Sequence, residues 1–245
     1  MEYVKPRFLD CGEAALSVEF GEGVDPAINA RVLTLDARLR AAPPQGLRET
    51  TPTYRALLLR YEPLEISRDA LVAAIEALLA PADIEAKLSR PAARWTIPCC
   101  YDPAFAEDID AAAALLGYAA PSLARLHAGA DYRAYMYGFA PGWCYLGGLP
   151  QTLAIPRRAS PRGPTPQGAV LIGGALALIA ANPMPTGWYV IGRTPERLFA
   201  LRRDPPFLVD PGDAVRFEPI DAGTFLTLDA RAAAGETVAR REALQ

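Results

Sequence analysis

Arg157, Arg158 and Arg162 crowd into the proline-rich stretch IPRRASPRGP, residues 155–164, and Arg193 follows in IGRTP. A guanidinium fork on a stiffened backbone can grip a carboxylate or phosphate through two parallel hydrogen bonds. Arginines grouped on a loop also pair with Asp or Glu, and spacing alone leaves both outcomes open. Nearby, YGFAPGWCYLGGLP, residues 137–150, sets Tyr137, Phe139, Trp143 and Tyr145 among glycines. Glycines allow positive φ and close backbone approach, so the rings between them are expected to be walls, either of a pocket or of the core. GWYVIGRTP, residues 187–195, repeats that texture and suits a second wall of the same pocket.

His127 is the sole histidine, at the end of an expected short helix. There it can serve as an acid or base near pH 7, or as a structural cap. Cys144 has no evident Cys/His/Asn partnership and is expected to pack. The four cysteines show no C-x-x-C spacing, which predicts a buried, reduced set. With one histidine and no paired thiolates, no metal site is expected. G-x-x-x-x-G-K-[ST] and G-x-G-x-x-G are both absent. The only lysines, Lys5 and Lys87, do not lie between methionines, so no biotin attachment is expected on this chain.

These residues need elements to position them. Phe8 to Phe20 predicts two strands around Cys-Gly-Glu. Asp25-Pro26 caps a helix carrying Ile28, Val32, Leu35 and Leu39 until Pro43-Pro44. Strands are expected over 54–61 and near 47–51, with a second helix capped by Ser67 and ended by Pro81. Proline punctuation around 89–93 marks a domain boundary. A capped helix is expected from Asp108 to Leu116, with a break at Gly117 and a second short helix over 121–127. Beyond Ala130, short apolar runs between Pro/Gly turns predict a closed or nearly closed β-barrel. AVLIGGALALIAA, residues 169–181, is too short to span a membrane and reads as two buried strands joined at Gly173-Gly174. The domains expected are an α+β N-terminal domain over 1–89, a barrel over 90–230, and a polar tail over 231–245 that is a frayed helix or disordered.

A net charge of -3, without basic runs among aromatic residues, argues against nucleic acid as a partner. No secretory signal pattern opens the sequence, so a cytoplasmic location is expected, with no membrane partner.

HAGADYRAYMYGFAPGWCYLGGLP, PRRASPRGPTPQGAV, TGWYVIGRTPERLF and PPFLVDPGDAVRFEPI together resemble the KipI / allophanate hydrolase subunit 1 family. This carboxyltransferase subdomain C/D family includes the B subunit of bacterial 5-oxoprolinase. The resemblance spans nearly the whole chain, with GEAALSVEFG matching the opening hairpin. It implies a small α/β sandwich followed by a cyclophilin-like β-barrel, and as partner a KipA-like protein, the C subunit of 5-oxoprolinase. It also implies a hydrolase subunit for ATP-dependent opening of 5-oxoproline or a related lactam, amide or urea compound, active only with that partner, which brings in ATP. A KipI-like inhibitor of a sensor histidine kinase, and the carboxyltransferase half of a urea-carboxylase-like system with biotin on another chain, are the alternatives. By resemblance His127, Phe139, Gly142, Tyr145, Arg157, Arg162, Trp188 and Arg193 fall on motif positions. His127 would be catalytic and the others would bind a small-molecule substrate. The chain departs from the family's usual V-P-A-G-S-V, Q-T-G-I-Y-P and S-P-G-G-W at TPQGAV, LALIAA and MPTGW, and reads GWC for Gly-Phe-Pro. Polar groups are lost, implying a less polar substrate or binding without catalysis.

Overall fold

The computed structural model describes residues 2–79 and 91–244. Pro81, Lys87 and the boundary residues 89–90 lie outside the described residues. Two units divide the chain, Met1–Arg90 and Pro91–Gln245.

In the first unit, strands β1 (Glu2–Asp10), β2 (Ala15–Gly21), β3 (Leu47–Pro52) and β4 (Ala56–Tyr61) form an antiparallel sheet in the order β1-β2-β4-β3. Period-two alternation sends Leu16, Val18 and Phe20 of β2 to one face, all fully buried. Helix α1 (Pro26–Ala41) covers that face with Ile28, Val32, Leu35 and Leu39, and α2 (Arg68–Leu79) adds Leu71 and Ile75. Each such buried side chain stabilises the unit by about 1.5–3 kcal/mol. Asp25 accepts hydrogen bonds from the Ala27 and Ile28 N–H groups at 2.7 and 3.2 Å, and Ser67 from Ala70 at 3.2 Å, so both expected caps form. Cys11 departs from the expectation. It is exposed, because it sits at the β1–β2 turn rather than in the sheet, whereas Cys99, Cys100 and Cys144 are buried free thiols.

The second unit is a barrel. Its strands are β5 (Ala93–Cys100), β6 (Tyr132–Tyr137), β7 (Cys144–Gly147), β8 (Ala169–Gly173), β9 (Leu176–Ile179), β10 (Tyr189–Arg193) and β11 (Ala214–Ile220). They run in the order β10-β8-β9-β7-β6-β11-β5, and the single pair Arg193↔Cys100 joins β10 back to β5. The fold class is therefore α+β, with a closed seven-stranded barrel beside a separate sheet. One apolar cluster takes residues from all seven strands, among them Ile97, Ala134, Leu146, Ile172, Ile179 and Phe217. Only the lumen faces every strand, so this cluster fills the barrel interior.

Helices α3 (Ile109–Leu116) and α4 (Ala120–Ala128) contribute Ile109, Ala112, Ala113 and Leu123 to that cluster. They are two helices, separated at Gly117, whose φ of 74° ends the first in the left-handed region. The tail, expected as a frayed helix or disorder, holds the end of a helix and a strand. Helix α5 (Ala222–Ala233) takes in residues 231–233, and β12 (Arg240–Ala243) pairs antiparallel with residues 93–96 of β5. Near the seam β10 meets β5 only at Cys100, so residues 93–96 of that β5 edge are left open to β10 and are paired by β12 instead. Glu196 helps hold it there, accepting from the Val238 and Ala239 N–H groups at 2.7 Å each.

Candidate functional site: a cleft on the outer face of the barrel

Strands β7, β8, β9 and β10 are buried on both faces, which is why residues 169–181 read as an almost unbroken apolar run. Residues paired across strands share a face: Val170↔Ile179 and Cys144↔Ile179 face the lumen, while Tyr145↔Leu178, Leu171↔Leu178 and Val190↔Leu171 face outward. Outside, Leu171, Leu178, Ala180, Val190, Trp143 and Trp188 make a second apolar cluster. Two loops are strapped together over it. The Arg158 and Arg162 N–H groups each donate at 2.8 Å, to Gly187 and Thr186, and the Thr165 N–H donates to Met184 at 3.0 Å.

Between the straps and the segment 138–143 lies a cleft of about 260 Å³. Its rings are Phe139, Trp143, Tyr145 and Trp188, with Leu178, Pro161 and Pro185 between them, while Arg157 and Thr186 supply polar groups. The glycine-and-aromatic segment thus walls a pocket, but one on the barrel's outer face, because the lumen is filled.

Each ring is held. Trp143 Nε1 donates to the Asn182 carbonyl at 3.2 Å and to Asn182 Oδ1 at 3.0 Å. Trp188 lies against Gly173, where a Cβ would come within 2.7 Å of the indole. Tyr145 meets Trp188 edge-on, 5.9 Å between ring centres. Burial raises the Tyr145 phenol's pKa and Arg157 partly offsets this, so the group stays protonated and can donate. Phe139 has φ 66°, and the Ala140 N–H donates to the Gly138 carbonyl at 2.8 Å. That is the strained γ-turn, in a region a non-glycine residue seldom occupies. The turn leaves Phe139 66% exposed, its ring centre 5.1 Å from that of Trp143.

The arginines divide. Arg162 donates to Asp108 Oδ2 at 2.6 Å, Arg158 donates to Oδ1 at 3.1 Å, and Arg193 pairs with Glu107. Arg157 has no hydrogen bond or ion pair among the described residues; its guanidinium lies over the Trp188 ring at 5.6 Å. Arg162 and Arg193 are therefore structural ion-pair partners rather than cleft-facing anion holders. Gly142 does not line the cleft either: its φ of 78° lets the turn pass against Phe199 and Ala181, where no Cβ fits.

His127 is a correction as well. It is fully buried in the lumen-side core, with ring centres 4.7 Å from Phe217 and 5.1 Å from Tyr132, and Nδ1 bonded to Tyr101 Oη at 2.8 Å. Burial pulls its pKa down to about 3, so at neutral pH it is uncharged and cannot act as the expected acid or base for the outer cleft. Burial likewise pushes Cys144 up to about 12, leaving an inert thiol.

Asp108 had no functional reading in the sequence. Although expected to cap α3, its side chain makes no cap bond. It accepts instead from Arg158, Arg162 and the Val190 N–H, the last at 2.9 Å, joining the arginine strap to β10. Among the described residues no group of three or more His, Cys, Asp or Glu is placed to hold a metal ion. No described helix is long and apolar enough to cross a membrane.

A four-stranded sheet with helices on one face, followed by a closed barrel bearing an aromatic cleft outside, defines a two-unit α+β protein with a small-molecule-sized cleft. The sequence matches the model of the carboxyltransferase domain, subdomain C and D, over residues 6–209, and the chain belongs to that family. It is 31% identical over 224 residues to the 5-oxoprolinase B subunit of Bacillus subtilis (strain 168), an alignment covering 87% of this chain and 92% of that one. Among solved structures it is similar to TTHA0988, with TM-score 0.74 and 34% identity over 85% of this chain; it spans only 40% of that longer protein. The urea carboxylase of Kluyveromyces lactis shares the fold, with TM-score 0.75 and 18% identity over 99% of this chain and 25% of that one.

Proposed function

We propose that the protein is one component of a heteromeric, ATP-dependent hydrolase of the 5-oxoprolinase type, opening 5-oxoproline or a related cyclic amide together with a KipA-like partner in the cytoplasm. The observation that carries this is the 31% identity along 92% of the Bacillus subtilis 5-oxoprolinase B subunit. The relatives' names favour it over a kinase inhibitor or a carboxyltransferase half.

The outer cleft is the substrate site in this reading. Arg157 holds the substrate carboxylate, with Phe139, Tyr145 and Trp188 as walls and the neutral Tyr145 phenol as a donor to developing negative charge on an amide oxygen. Nucleotide binding falls to the partner in this reading, since at the cleft ATP phosphates would meet one guanidinium among four rings. The test is reconstitution with the partner protein and measurement of ATP-dependent ring opening across 5-oxoproline and substituted lactams. Turnover that requires both proteins is the expected result; no turnover on any of them overturns the proposal.

A further inference from the structure

We infer that the cleft selects a monocarboxylate with a hydrophobic, ring-bearing body over both a compact polar lactam and a nucleotide. This rests on the reading of the cleft as the substrate site. Within the proposed reaction it means a carboxylated amide or lactam that carries an aryl or branched-alkyl group.

Charge sets the first limit. Arg158, Arg162 and Arg193 are tied to Glu107 and Asp108, which leaves Arg157 as the cleft's guanidinium without an ion pair among the described residues. One fork matches one carboxylate, and a polyphosphate would leave most of its charge desolvated and unpaired. The floor sets the second. Leu178 lines it, backed by Leu171, Ala180 and Val190, all almost fully buried, and none has a side chain able to hydrogen-bond.

Side-chain donors on the lining residues beyond Arg157 are the Tyr145 phenol, the Thr186 hydroxyl, which accepts from the Trp188 backbone N–H at 3.3 Å, and two indole N–H groups, of which that of Trp143 is taken up by Asn182. These donors stand on the walls, so a small lactam lying on the floor would set its amide against Leu178, which offers no partner, whereas an apolar ring asks for none. Phe139 supplies the third indication. A strained turn presents the residue two-thirds exposed at the cleft, where a ligand ring stacked against its own would bury both faces.

Two of the three tryptophans, Trp143 and Trp188, line the cleft, so fluorescence of the full chain reports binding. The probes are 3-phenylpropionate, its neutral amide 3-phenylpropanamide, 5-oxoproline and ATP. The acid is expected to bind roughly tenfold tighter than either its amide or 5-oxoproline, with no saturable response to ATP. Arg157→Ala should abolish the preference for acid over amide. Phe139→Ala should weaken both phenyl ligands alike and keep their ratio.

Equal affinity for acid and amide, tightest binding of 5-oxoproline, or saturable ATP binding displaced by the acid would each overturn the inference. If Arg157→Ala does not fold, the acid and amide comparison on the unaltered chain decides. Tightest binding of 5-oxoproline leaves the proposed function standing; acid selectivity without turnover by the reconstituted complex overturns the proposed function alone.

Discussion

Phe139 costs the fold something to keep where it is. A non-glycine residue at φ 66° carries strain on the order of 1–3 kcal/mol, and, largely exposed, it recovers little of that through packing. Phe139→Gly is therefore expected to raise stability by about 1 kcal/mol in urea unfolding while weakening binding of aromatic acids. A loss of stability would mean that the Trp143 contact outweighs the strain.

His127 makes a separate prediction. Unfolded, its imidazole takes a proton near pH 6.5, but in the native core it resists protonation down to about 3. Its contribution is fully present above 6.5 and is lost as pH falls from 6.5 towards 3, at about 1.4 kcal/mol per pH unit, because only the unfolded chain gains the proton. Denaturant titrations across that window should show His127→Phe with a flatter pH dependence than the parent. An unchanged slope would remove His127 as the cause.

Between residues and the whole fold, β12 and the arginine strap show how one side chain fixes an element. The Glu196 side chain has no exposed surface, and both its oxygens are engaged: Oε2 by Val238 and Ala239, Oε1 by the Arg197 N–H at 2.8 Å. Glu196→Ala leaves those N–H groups without their acceptor, at about 1–3 kcal/mol for each one that stays buried. Hydrogen exchange should then lose protection selectively over residues 238–244; uniform loss across the barrel would argue against a local clamp.

The strands of the N-terminal sheet, the caps at Asp25 and Ser67 and the buried hairpin at 169–179 were legible in the sequence because each rests on local periodicity and capping chemistry. The partners of Glu196 were not, since its acceptor bonds reach 42 and 43 residues along the chain. The tail's polar, Ala-rich composition therefore read as a frayed helix or disorder, although an open β5 edge was waiting for it.

On the scale of the molecule, each unit has its own apolar cluster, one behind the four-stranded sheet and one in the barrel lumen. A fragment starting at Pro91 is expected to unfold cooperatively and to keep the fluorescence response to 3-phenylpropionate. A fragment lacking a cooperative transition would show that the barrel needs the first unit.

Short apolar runs and Pro/Gly punctuation determined that the second half would be short strands closing on themselves, and the glycine spacing determined that rings would line a wall. Which side of the barrel that wall faces was decided by tertiary structure, because strands buried on both faces carry no mark of lumen or exterior. Which arginine stayed without an ion pair among the described residues was decided there too. Four guanidiniums look alike along the chain until Glu107 and Asp108, some fifty to ninety residues upstream, fold against three of them and leave Arg157 at the cleft.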